Sequence, residues 1–241
     1  MSSTRTTEYN CQQGTLDWHI ARLGKVTASH AADVVTITGK ATANKARETY
    51  RNEVLAERMT GKITQHFTND AMKRGTELEP RARAWYELET GNSVRQVGFV
   101  VRDDVAGAGC SPDGLVGDTH GMEIKCPLTH TLIGKLLSGN EASAEYMMQI
   151  QFCMWVCGLP AWDLVLFSDN AGVPSHIYTI AADEKLQSAF DVHVPAFIAE
   201  LDAAEKALIE LGGIKQQAQG SDAAYEQIAD SMGPLPTGQG R

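Results

Sequence analysis

Apolar positions in this chain follow two rhythms, and the change between them separates helices from strands. Helical spacing, with apolar residues three or four apart, predicts a short helix over residues 15–23 and a longer one over residues 42–59. In the longer one Tyr50, Val54 and Leu55 share a face, and Gly61 follows the end. Ser29 predicts the cap of a helix running to about Ile37, broken by Thr38-Gly39-Lys40. Asn69 predicts the cap of another, continuing to Glu89 and closed by Gly91, with a kink or restart at Pro80. β-Branched content predicts a strand over residues 94–102. Residues 107–116 and 122–126 read as two short strands joined at Gly117-Asp118-Thr119-His120-Gly121. Helices follow over 128–137 and 141–156, then strands over 162–167 and 175–180, joined through Asp169-Asn170-Ala171-Gly172, then a long helix over 183–211. Gly, Gln, Ser and Pro dominate from Gly212 onwards, which predicts a flexible tail over 212–241. Residues 1–211 are therefore expected to form one α/β domain, a central mixed β-sheet of about five strands flanked by helices.

Charge changes this picture more than composition does. The net formal charge of −9 disfavours a polyanionic partner, but it is unevenly spread. Residues 1–102 carry 15 Lys and Arg against 11 Asp and Glu, whereas residues 103–180 carry 2 against 9. A basic half beside an acidic segment suits phosphodiester cleavage, because cations attract the backbone and carboxylates hold metal ions against it. Arg47, Arg51 and Arg58 read equally well as solvated helix surface. No apolar run approaches the ~18 residues of a membrane span. The polar first thirteen residues lack the apolar stretch of a secretion signal. Five scattered cysteines form neither a disulfide framework nor a CxxC pair, so the expectation is a cytoplasmic protein with reduced thiols and no membrane partner. Cys153 and Cys157 read as core residues.

Candidate chemistry concentrates in Ser111-Pro112-Asp113-Gly114 and Glu123-Ile124-Lys125. The hairpin brings Asp113 towards Glu123. Alternation along a strand points Glu123 and Lys125 the same way, with Ile124 directed into the opposite layer. Two carboxylates and an ammonium on one patch suit a divalent cation, a water to be activated and a phosphate to be attacked. Pro112 and Gly114 hold Asp113 on a constrained turn, and Pro127 stops the second strand. Gly75-Thr76-Glu77-Leu78-Glu79-Pro80 offers a third acid, and spacing alone does not choose between Glu77 and Glu79. None of the seven histidines has HExxH spacing, which argues against a zinc hydrolase.

Together with Trp18, Arg22 and Thr27-Ala28-Ser29 near the N-terminus and Gln149-Ile150-Gln151 beyond the hairpin, these motifs resemble the phage lambda exonuclease (YqaJ-type viral recombinase) family. That family belongs to the restriction-endonuclease-like PD-(D/E)xK nucleases. The resemblance spans about residues 15–180 and implies a restriction-endonuclease-like core. It implies that Asp113, Glu123, the backbone carbonyl of Ile124 and Glu79 hold two Mg²⁺ ions, with Mn²⁺ as a substitute, and that Lys125 positions or helps deprotonate the attacking water. Gln151, and secondarily Gln149, match the glutamine beside the metal centre. Arg22, Ser29 and Ser111 resemble a pocket for a 5′-phosphate, where an arginine and two hydroxyls recognise a terminal phosphate. Met72 falls where the family wedges an apolar side chain into the duplex end, with a core methionine as the alternative. Lys40 lies on a loop that would touch DNA or be solvated.

The implied activity is 5′→3′ digestion of linear double-stranded DNA to mononucleotides, leaving 3′ single-stranded ends for recombination. The implied partners are the DNA, a ring-shaped homotrimer and a single-strand annealing protein. A same-fold endonuclease or Cas4-like nuclease would share Asp113, Glu123 and Lys125, but the Cas4 type needs a cysteine set that is not present. A non-catalytic DNA-binding protein would have lost one of those three residues, and none is lost.

Overall fold

In the computed structural model, residues 4–64, 70–139 and 142–216 are described. The predicted cap at Asn69, the start of the helix at Glu141 and most of the predicted tail, residues 217–241, lie outside them. The architecture is a mixed α/β one with two mixed sheets. A four-stranded sheet has the order β1-β4-β5-β2, formed by Thr6–Tyr9, Phe99–Arg102, Ala108–Cys110 and Val26–Thr27. A five-stranded sheet has the order β3-β6-β7-β8-β9, formed by Val94–Arg95, Gly114–Val116, His120–Lys125, Ala161–Leu166 and His176–Ala181.

The division into two sheets corrects two predicted strands. The 94–102 segment is interrupted at Gln96–Gly98, so β3 joins one sheet and β4 the other. At the break the chain runs against residues 9–11: the Gly98 amide donates to the Tyr9 carbonyl at 3.2 Å, and only glycine fits, because a Cβ there would sit 2.2 Å from the Cys11 carbonyl oxygen. The 107–116 segment is likewise cut at Ser111-Pro112-Asp113 into β5 and β6, again in different sheets. Proline cannot donate to a ladder, so the strand leaves one sheet there and enters the other. β1 and β2, short and rich in threonine, carried no periodicity strong enough to predict them.

The helices are α1 (Leu16–Arg22), α2 (Ala31–Val34), α3 (Lys45–Thr60), α4 (Asp70–Thr90), α5 (Thr129–Ser138), α6 (Ala144–Cys157) and α7 (Glu184–Glu210). Asn44 caps α3 by accepting from the Arg47 amide at 3.0 Å, and Gly61 ends it at φ 64°. The helix predicted from Ser29 to Ile37 shrinks to a 3₁₀ turn at Ala28–His30 followed by α2, because Val35 pairs with Ala41 across the Thr36–Lys40 turn. Pro80 does not restart the helix: α4 runs through it over 21 residues. Its ring lies on the exposed side of the helix, where water can serve the carbonyl that loses its amide donor.

α6 is buried on most sides from Met148 to Val156 and packs against strands of both sheets and against α7. Phe152, Trp155 and Phe190 meet edge-on or tilted at 5.2–5.9 Å in this core. On the other face of the five-stranded sheet, Leu78, Ala82 and Tyr86 of α4 cover Val116, Met122, Ile124 and Val165. Alternation along β7 thus sends Met122 and Ile124 to α4 and leaves Glu123 facing α6. Arg47 and Arg58 are not solvated. Arg47 pairs with Glu200 at 2.7 Å over the Phe197 ring, and Arg58 joins Asp202 at 2.7 Å to the Gly24 carbonyl. Both tie α3 and its neighbours to α7.

Candidate active site

The bend at Ser111-Pro112-Asp113 is the hinge of the site. β6 pairs with β7 only as far as Gly114 opposite Met122, so β7 runs on past its partner on that edge. Asp113 turns into the gap, and its Oδ2 accepts the Ile124 amide at 2.6 Å. A residue's amide and carbonyl point to the same edge of a strand. The Ile124 carbonyl therefore faces the same gap as Asp113.

Glu123 is 3% exposed. Its Oε1 accepts from Lys125 Nζ and from Gln149 Nε2, each at 2.7 Å, while Lys125 also donates to Gln149 Oε1 at 3.2 Å. This closed triangle leaves Glu123 Oε2 buried without a partner. Burial lowers the basicity of the Lys125 ammonium, but Glu123 beside it and Asp113 outweigh this and hold its pKa above the ordinary value. Burial, with the Glu123 and Glu79 carboxylates nearby, raises the Asp113 pKa well above the usual range. Both directions describe one patch with excess negative charge.

Gln149, rather than Gln151, is the glutamine of this patch. The two are two residues apart on α6, about 200° around the helix, so only one can face β7. Gln151 is 1% exposed and turns to the C-terminal side: it donates to the Ala181 carbonyl at 2.8 Å and accepts from the Asp183 amide at 2.9 Å and from Gln187 at 3.0 Å. The helix phase held the signal, since Gln149 lies where Tyr146, three residues earlier, puts its ring 4.9 Å from Lys125.

Glu79 arrives from α4 and is held by Arg83, one turn on, at 2.5 Å. The same Nη2 reaches the Asp113 carbonyl at 3.2 Å, so Arg83 bridges the helix acid and the bend. Nothing in the motif spacing singled out Arg83. Arg74, at the head of α4, donates to the Cys126 carbonyl at 2.9 Å and pairs with Asp169 at 2.6 Å, fixing the exit of β7.

Beyond Asp113, Ser111 belongs to a second cluster. Its Oγ accepts from Trp18 Nε1 at 2.8 Å and from Arg22 Nη1 at 3.1 Å. The Arg22 guanidinium lies over the Trp18 ring at 4.3 Å, and burial lowers its pKa. Among the described residues no carboxylate pairs with it. A half-buried cation without its anion is costly, and the cluster therefore fits an anionic ligand. Parallel pairing of β2 with β5 sets Thr27 opposite Gly109. Ser29 and Ser111 each follow by two residues at the same end of the sheet. Ser29 is exposed, with its hydroxyl 3.3 Å from that of Thr27. Lys40 is exposed on the Thr36–Ala41 turn, and Met72 is 51% exposed on the first turn of α4 rather than in the core.

The donors suit a hard divalent cation: carboxylate and carbonyl oxygens converge, and a buried carboxylate oxygen lacks any other partner. Among the described residues no three acidic, histidine or cysteine side chains form a ready cage. Each acid is tied instead to its own neighbour: Asp113 to the Ile124 amide, Glu123 to Lys125 and Gln149, Glu79 to Arg83. Asp113, Glu123, Glu79 and the Ile124 carbonyl would hold the ion.

A mixed sheet between helices that bends one strand to bring a carboxylate beside an acid and a lysine on the next is the arrangement of a nuclease with a restriction-endonuclease-like fold. The YqaJ-like viral recombinase domain matches residues 17–160, more than half of the sequence. The chain belongs to that family. An alkaline exonuclease from Laribacter hongkongensis has a similar structure, with a TM-score of 0.74 and 42% identity over 82% of this chain and 98% of that one. The same figures describe its complex with dAMP. A phage-related exonuclease from Haemophilus somnus 129PT shares the fold at a TM-score of 0.58 and 17% identity, covering 76% of this chain and 96% of that one. The uncharacterized protein ExoD of Escherichia coli (strain K12) is 36% identical over 78 residues, 32% of this chain and 86% of that protein. Among the described residues no helix is long and apolar enough to cross a membrane.

Proposed function

We propose that this protein is a Mg²⁺-dependent 5′→3′ exonuclease acting on linear double-stranded DNA. It releases mononucleotides and leaves 3′ single-stranded ends for homologous recombination by strand annealing. The reading is carried by Glu123: a carboxylate braced on one oxygen by Lys125 and Gln149, with its other oxygen buried and unpartnered beside Asp113. Bound Mg²⁺, or Mn²⁺ in its place, would supply an activated water and screen the charge of the leaving oxygen. Two ions are proposed, one of them reached by Glu79.

The chain's own residues do the rest. Lys125, held against Glu123 and Gln149, orients the nucleophile or helps to deprotonate it, and its ammonium attracts developing negative charge. Gln149 keeps that ammonium and Glu123 in register. Arg22, Trp18, Ser111 and Ser29 hold the terminal 5′-phosphate. Ser111 and Asp113 are two residues apart, at most ~7 Å of chain. That span is comparable with the separation of neighbouring phosphates, so a phosphate seated at Ser111 presents the next one to Asp113. The dAMP complex of the Laribacter hongkongensis relative supports single-nucleotide release. Lys40 and Met72, both exposed, are proposed to touch the duplex beyond the site. A homotrimeric ring around the DNA, a single-strand annealing partner and a cytoplasmic location complete the proposal on family grounds.

The test is incubation of end-labelled linear duplex and closed circular DNA with and without Mg²⁺. Stepwise loss of 5′-terminal nucleotides from linear DNA, circles spared and no reaction in chelator, is the expected result. Nicking of circles would replace it with the endonuclease reading.

A further inference from the structure

Arg83 sits where two parts of the proposed metal centre meet, yet neither the motif nor the mechanism above uses it. Its side chain is 11% exposed and spans from Glu79 Oε1 at 2.5 Å to the Asp113 carbonyl at 3.2 Å. Its Nε is buried with no partner, so the guanidinium is committed to these two contacts at a cost an ordinary surface pair would not carry. Glu79 is otherwise a long side chain on a half-exposed helix face, free to sample rotamers in water. Among the described residues only its Oε1 accepts a hydrogen bond.

We infer that Arg83 is a positioning residue: it holds Glu79 against the Asp113 bend by one oxygen and leaves the other for the second cation. This rests on the metal-dependent reading above. The two effects of an arginine beside a cation site oppose each other, since its charge repels the ion while its fork orders the ligand. Ordering prevails here because Arg83 is already neutralised by Glu79, whereas an unbound Glu79 has, among the described residues, no other hydrogen-bond partner to keep it at the bend. Lysine cannot replace it fully, because an ammonium lacks the planar fork that bridges a carboxylate and a carbonyl.

The test counts Mn²⁺ bound to metal-free protein by the electron paramagnetic resonance signal of the free ion, with no substrate or turnover involved. The parent is expected to bind two ions, and Arg83→Gln to bind the weaker one at least tenfold less tightly. The stronger site, built on Asp113 and Glu123, is expected to stay within about threefold. Arg83→Lys, which keeps the charge and the fold, is expected to recover only part of the loss. Parent-like or tighter binding by Arg83→Gln overturns the inference, as does full recovery by lysine. A parent protein that binds no Mn²⁺ overturns the metal-dependent reading itself and this inference with it.

Discussion

Gln149 and Gln151 are chemically identical, two residues apart and both largely enclosed, so substituting each by leucine separates catalysis from folding. Gln149 bonds two charged groups, Glu123 at 2.7 Å and Lys125 at 3.2 Å. Hydrogen bonds to charged groups are worth ~1.5–3 kcal/mol each, but the direct Lys125–Glu123 contact survives the change, so about 2–3 kcal/mol of positioning is lost. Expressed in the barrier, that is roughly a 30- to 150-fold fall in turnover. Gln151 instead serves the Ala181 carbonyl, the Asp183 amide and Gln187. Leucine there strands two backbone groups, costing about 2–5 kcal/mol in total. At ~2–4 °C per kcal/mol for a chain of this size, the melting temperature should drop by roughly 4–20 °C. Gln151→Leu should nevertheless turn over normally per folded molecule at low temperature. The assays are single-turnover cleavage of end-labelled duplex, normalised to folded protein, and thermal melting by circular dichroism. A Gln149→Leu protein with parental turnover, beside a Gln151→Leu protein that is inactive yet melts normally, would refute the assignment.

Lys125→Ala should bind duplex DNA within a few-fold of the parent while cleavage falls by two orders of magnitude or more, checked by gel shift against nuclease rate. Arg22→Ala should erase the preference for 5′-phosphorylated over 5′-hydroxyl ends; an unchanged ratio would reject the anion pocket. Burial lifts the Tyr50 pKa to about 12, so the native chain keeps a proton that the unfolded one releases above pH ~10. Stability should therefore fall as pH rises from about 10 to 12, and Tyr50→Phe should flatten that slope in denaturant titrations, at the expense of the bond its hydroxyl accepts from the Thr27 amide at 3.0 Å. Gly121→Ala would put a Cβ 2.1 Å from the fully buried Trp162 ring, so an overpacking loss of ~1–3 kcal/mol or more is expected by chemical denaturation, with reduced activity from the displaced β7.

How much of this was legible beforehand depends on whether the signal is local. Strand alternation alone put Glu123 and Lys125 on one face and Ile124 on the other, and the structure keeps that order because period two is a property of the extended backbone. The long helices α3, α4 and α7 were readable for the same reason, since each carries its own apolar stripe, while α6 was read from its near-continuous apolar run. Pro112 and Gly114 marked the constrained turn that carries Asp113. What local reasoning could not supply was the destination of the chain on either side of that turn. β5 and β6 look like one strand until the first sheet claims one half and the second sheet the other, a choice made by partners far away in sequence.

The same limit governs the site. Residue types and spacing determined that an acid, a second acid and a lysine would converge on a hairpin, because those relations lie within about a dozen residues. Which glutamine faces them, that Arg83 carries Glu79 to the bend, and that Arg22 reaches Ser111 with no carboxylate paired to it among the described residues were decided only by tertiary packing. Arg83 and Glu79, like Arg22 and Trp18, lie four apart on one helix, but the Asp113 carbonyl and the Ser111 hydroxyl that those pairs reach, and the β7 acid that Gln149 faces, lie far along the chain, so their meeting depends on the rotation of α6, the approach of α4 and the packing of α1 on the first sheet.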